Sequence, residues 1–126
     1  MADESAEVLM RVENDARLIA GVAAGAACCG ATGGLGEEEV AALRGAVRAA
    51  CEYAFGAAPA AGVLLEVGVA RSVSRLEVTL SRPGTAAGAA APLPALAGVD
   101  QVQRETRGDN AVLILTKLIK PPVSAE

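Results

Sequence analysis

From Glu7 to Glu13 the residues alternate: Val8, Met10 and Val12 share one side, and Glu7, Arg11 and Glu13 the other. That period of two predicts a half-buried first strand. Asn14 or Asp15 is placed to cap a following helix over 15–29, with Leu18, Ile19, Val22 and Ala26 on one stripe. Gly21 and Gly25 lower its intrinsic propensity and offer room for a close neighbour. Residues 30–36 are glycine-rich and predict a flexible connector. The clearest helix is 37–56, where Val40, Leu43, Val47, Ala50, Cys51 and Ala54 recur at helical spacing. Glu37, Glu38 and Glu39 suit its positive end, and Gly56 and Pro59 stop it.

Two strands are predicted next. Residues 63–70 are apolar and β-branched, as in a central strand, and 75–81 alternate, with Leu76, Val78 and Leu80 inward. Arg71–Ser74 supplies the hairpin turn between them. Residues 82–92, rich in Pro, Gly and Ala, predict a mobile loop, and 93–98 a short helical turn. A last hairpin over 99–106 and 111–119 turns at Gly108-Asp109-Asn110, and Pro121-Pro122 ends the sheet. The order predicts one α+β domain over 1–126, a two-layer sandwich. Its sheet is expected to be mixed but mostly antiparallel, with two long helices on one face. Residues 1–5 and 121–126 are expected to be disordered tails.

Composition narrows the function classes. The hydrophobic share is 52%, but Tyr53 and Phe55 are the only aromatic residues, so the core rests on Val, Leu, Ile and Ala. The net charge is −4 with both signs interspersed. There is neither a basic stripe nor aromatics among basic residues, so nucleic acid is not an expected partner. The apolar stretch nearest to a membrane span, 16–35, holds five glycines and opens at Arg17, so no membrane span is expected. The acidic start lacks a signal-peptide pattern, and the expected location is the cytoplasm.

The chain has no histidine, which excludes Ser-His-Asp and Cys-His catalysis and every zinc site that needs imidazole. Cys28, Cys29 and Cys51 form no disulfide framework and are expected to be buried thiols on helices. Gly36 is followed by Glu37 rather than by Lys and a hydroxyl residue, so 30–36 is no P-loop. Glu37–Glu39 reads as a solvated first turn and Glu52 as a surface charge. Phe55 reads as core. Tyr53 suits core packing or a partner-binding anchor equally.

The run Ala46-Val47-Arg48-Ala49-Ala50-Cys51-Glu52-Tyr53-Ala54 resembles the nucleotide-binding helix of the bacterial anti-sigma-factor serine kinases, usually A-V-x-E-A-x-x-N-A. These share an ATPase fold with histidine kinases, gyrase and Hsp90. Arg75–Leu80 resembles the strand before that family's Asp-x-Gly motif, and Val112–Lys120 its last strand, so the likeness spans roughly 6–120. The resemblance places Ala49 where the family has its catalytic Glu, and Tyr53 where it has the magnesium-binding Asn. Arg82, followed by Pro83-Gly84, stands where the family has the adenine-reading Asp.

Phosphoryl transfer needs a metal to offset phosphate charge and a group to orient the nucleophile. Alanine supplies neither, and a phenol is a poor magnesium ligand. The resemblance therefore implies a degenerate nucleotide site at Ala49, Tyr53, Arg82 and Gly84, with no catalytic residue, metal or cofactor. The chain would act as a regulatory module binding a sigma factor or an anti-sigma antagonist. It also implies a homodimer with Val8–Glu13 at the interface. The alternative is an active, divergent serine/threonine kinase using ATP and magnesium through Glu52 or Asp109.

Overall fold

A computed structural model describes residues 6–56, 64–83 and 96–119. Its elements are β1 (Ala6–Val12), α1 (Ala16–Thr32), α2 (Glu37–Gly56), β2 (Leu65–Arg71), β3 (Arg75–Pro83), β4 (Gln101–Arg107) and β5 (Asn110–Leu118). The strands form one five-stranded sheet in the order β1-β2-β3-β5-β4. The α+β class is as predicted, but the sheet is not mixed: among the described residues every pairing is antiparallel. The reason lies in the connections. Two are tight hairpins, and the α1–α2 pair returns the chain beside β1 in the reverse direction, so no βαβ crossover is required.

Both helices pack on one face. Val12 of β1, Leu65, Val67 and Val69 of β2, Leu76, Val78 and Leu80 of β3, and Leu113 and Leu115 of β5 join the buried cluster beneath them. From α1 come Ile19, Val22, Ala23 and Ala26; from α2 come Leu43, Val47, Ala50, Cys51, Ala54 and Phe55. These side chains are aliphatic apart from Cys51 and Phe55, and several are alanine, so the core gains its density from close backbone approach.

Helix α1 starts one residue later and ends three residues later than the hydrophobic stripe predicts. Asp15 is its N-cap, and Asp15 Oδ1 accepts from the Arg17 backbone N–H at 2.8 Å. That hydrogen bond, with the Arg17 guanidinium beside it, holds the Asp15 carboxyl below its usual range. The C-terminal end closes as a Schellman turn: Gly34, at φ 114°, lets Leu35 N–H reach the Gly30 carbonyl and its own N–H reach Ala31. Leu35 then folds back onto Gly30, where an added Cβ would lie 2.7 Å from its Cδ1. The close approach is thus at Gly30. Gly21 and Gly25, expected to provide it, face open space. Leu18, expected on the buried stripe, is exposed.

Helix α2 keeps its predicted bounds and buried stripe, with Val40 half-buried at its start. Glu39 Oε1 accepts from the Gly36 N–H at 3.2 Å, the reciprocal half of a capping box. The β4–β5 turn is the two-residue Gly108-Asp109, shorter than the predicted triplet, with Gly108 at φ 60°. This suits a hairpin turn that needs glycine first.

Strand β3 runs on through Arg82 and Pro83, which the sequence assigned to a mobile loop. The rest of that loop, 84–92, lies outside the described residues, as do the two predicted tails. Of the helical turn predicted over 93–98, only 96–98 is described, and Leu96–Asp100 forms a non-helical turn across α2. There Gly98 is so close to α2 that a Cβ would lie 2.1 Å from the Ala42 carbonyl oxygen.

Candidate functional site at the C-terminal end of the second helix

Three residues singled out by the sequence belong to the last turns of α2 and to the end of β3. Ala49 and Tyr53, one turn apart on α2, are half-buried. Arg82 is 4% exposed, although the sequence pattern placed it in a surface loop. It continues the inward phase of Leu76, Val78 and Leu80 along β3. Its Nη1 donates to the Pro83 carbonyl at 3.1 Å, which answers part of the cost of burying a guanidinium. The fourth residue of the expected set, Gly84, lies outside the described residues.

Arg104 completes the group, and no motif pointed to it. Its Nη1 donates to the Tyr53 phenol oxygen at 3.1 Å. Pairing puts Arg104 opposite Leu113, and Leu113 opposite Leu80, so Arg104 belongs to the helix-covered face. The same alternation was visible in Val102, Arg104 and Thr106, but β4 is so polar that nothing in it marked which face was inner.

The chemistry of this end follows from its donors. Two guanidiniums, a phenol and an alanine methyl offer no carboxylate or amide oxygen to a divalent cation, and the guanidiniums repel one. Among the described residues no cluster of three Cys, Asp or Glu side chains is placed to hold a metal. The set does not fit a magnesium nucleotide. Glu52, one position before Tyr53, is exposed and bound to Arg48 Nε at 3.3 Å in an i,i+4 pair. Asp109 sits in the exposed β4–β5 turn.

No protein-family model and no curated protein matches this chain.

The thiols are only partly as predicted. Cys51 is buried, and burial, with Glu52 nearby, pushes its thiol up to about 12. Cys28 is exposed and Cys29 half-buried, because helical phase puts Cys28 opposite the buried stripe of Ala23, Ala26 and Gly30 and Cys29 on its flank. No described helix is long and apolar enough to cross a membrane.

Proposed function

We propose that this chain is a non-catalytic regulatory module on an anti-sigma-kinase-like scaffold, acting in the cytoplasm. It would hold a sigma factor or an anti-sigma antagonist. The observation that carries the loss of catalysis is the Tyr53–Arg104 hydrogen bond. It joins helix and sheet with a phenol and a cation where a kinase of that family needs magnesium ligands. Two helices on one face of a sheet ordered β1-β2-β3-β5-β4 support the scaffold, and the partner class follows from the resemblance of residues 46–54 and 75–80. The alternative, a divergent kinase, gains no support from Glu52, held by Arg48 on the outside of α2, or from Asp109 at a distant turn.

Isothermal titration of the chain with ATP and magnesium tests the reading. A flat trace is expected. Magnesium-dependent binding in the micromolar range would return the kinase reading to first place.

A further inference from the structure

The turn between β2 and β3 lies at the end of β3 opposite Arg82. Val73, in that turn, is 71% exposed, more than any other large hydrophobic among the described residues. Leu118, 54% exposed, pairs with Arg75 on the side of the sheet away from the helices. The strands are tied together there, since the Ile119 N–H donates to the Ser74 carbonyl at 2.8 Å. Val73, Arg75 and Leu118 therefore belong to one patch.

We infer that this tip is a docking surface for an acidic segment of a partner protein. The segment would set carboxylates against Arg71 and Arg75, and an apolar side chain against Val73 and Leu118. The inference goes beyond the functional reading above and does not depend on it, since it concerns another part of the sheet and needs no particular partner family. Three observations support it. First, local sequence and local structure disagree. A tight turn between antiparallel strands favours Gly, Asn or Asp. Here the three residues between the strands are Ser72, Val73 and Ser74. Valine prefers a strand, and at this exposure it gains no burial. A position that breaks a local rule without a gain to the fold is where function is expected.

Second, the tip holds cations that no acid answers. Arg11, Arg17, Arg48, Arg107 and Lys117 each stand beside a carboxylate. Among the described residues Arg71 and Arg75 join no ion pair. Acids do lie at this end of the fold. Glu77 follows Arg75 on the same side of β3, and Glu37 and Glu38 open α2, but none of them bridges to either arginine. Glu39 and Asp100 stand beside Lys117. A carboxylate brought by a partner would meet guanidinium charge at the tip and gain charge-assisted hydrogen bonds.

Third, the tip is held in place. Strands β2 and β3 pair without a bulge from the Glu66/Ser81 pair to the Arg71/Leu76 pair. The Ser72 N–H donates to the Arg75 carbonyl at 2.9 Å, and the Ser72 hydroxyl donates to the same oxygen at 3.4 Å. The stem of Arg71 runs against the end of α1, where a Cβ added to Gly33 would lie 3.0 Å from Arg71 Cδ. A surface fixed before binding loses little freedom on binding. Arginine is also enriched where protein partners meet.

The test follows the backbone amide NMR signals of the isotope-labelled full chain during two titrations to millimolar concentration. One uses the synthetic acidic peptide Glu-Asp-Leu-Glu-Leu-Asp, the other its basic counterpart Lys-Lys-Leu-Lys-Leu-Lys. The acidic peptide should cause saturable shifts at residues 72–75 and at Leu118, and the basic peptide none. Arg75→Glu should weaken the acidic peptide by at least about tenfold, because it turns attraction into repulsion. Val73→Ser should weaken it severalfold through lost apolar contact. Both positions are exposed, so circular dichroism should not change. Arg44→Glu makes the same charge change on the exposed side of α2 and should leave binding unaltered. Absence of a saturable shift at the tip would overturn the proposal. So would binding that survives Arg75→Glu, that falls equally with Arg44→Glu, or that the basic peptide reproduces. Co-sedimentation of the chain with phosphatidylserine vesicles, without peptide shifts at the tip, would assign the surface to a membrane and overturn it too.

Discussion

The two ends of α2 rest on the same sheet but are fastened by opposite chemistry. At its N-terminal end Lys117, on the inner face of β5, stands 3.4 Å from Glu39 Oε2 and 3.8 Å from Asp100 Oδ2. Asp100 also accepts from the Leu118 N–H at 2.7 Å, while its own N–H donates to Thr116. Helix, turn and strand meet there around one cation flanked by two carboxylates. At the C-terminal end the inward positions carry Arg82 and Arg104, and the helix answers with the phenol of Tyr53. The first end is architecture. The second presents donors that favour neither a metal nor a triphosphate bound through one.

The largest expected effect belongs to the N-terminal end. Gly98→Ala drives a methyl into the Ala42 carbonyl, with backbone on both sides and no flexible side chain to yield. We expect a loss of about 3 kcal/mol in urea unfolding, at the upper end of overpacking costs. Asp100→Ala is next. It removes the acceptor of Leu118 N–H and one neighbour of Lys117, at an expected cost of about 1–2 kcal/mol by the same measurement, reduced by partial exposure. Tyr53→Phe deletes the oxygen to which Arg104 donates and should cost under about 1 kcal/mol, because this contact is exposed. Were Tyr53→Phe to cost more than Asp100→Ala, the contrast between a firmly anchored end and a lightly fastened one would be broken.

Thiol chemistry sharpens the comparison without altering stability. Cys51 lies on the buried face of α2 towards its C-terminal end, and its raised pKa leaves almost no thiolate at neutral pH. Cys28 should react with a disulfide reagent within the mixing time allowed by an exposed thiol, and Cys51 only as fast as α2 lifts from the sheet. Faster Cys51 labelling in Gly98→Ala than in Tyr53→Phe would place the anchorage of the helix at its N-terminal end.

Much of this architecture was legible because period is a strong signal. The alternation of Leu76, Val78 and Leu80 and the helical stripe from Val40 to Ala54 each matched a face. What escaped was set by neighbours distant in sequence. Leu18 fits the α1 stripe by spacing, yet the helix enters beside the margin of the sheet and leaves it uncovered. Gly21 and Gly25 looked like contact points, but the contact formed at Gly30, where Leu35 folds back. Arg82 read as the start of a loop because Pro83-Gly84 follows it. Pairing with β5 carries the strand through both Arg82 and Pro83. At the candidate site Tyr53 was recognisable from its position in the helix, whereas Arg104 gave no local sign, since its partner lies 51 residues away.

The account turns on whether the C-terminal end of α2 accepts a magnesium nucleotide. Tyr53 is the chain's single tyrosine, so its ring-carbon NMR signal reports on that end alone. Titration with ATP and magnesium to millimolar concentration should leave the signal unmoved. A saturable shift with a micromolar midpoint, abolished by chelating the magnesium, would contradict it.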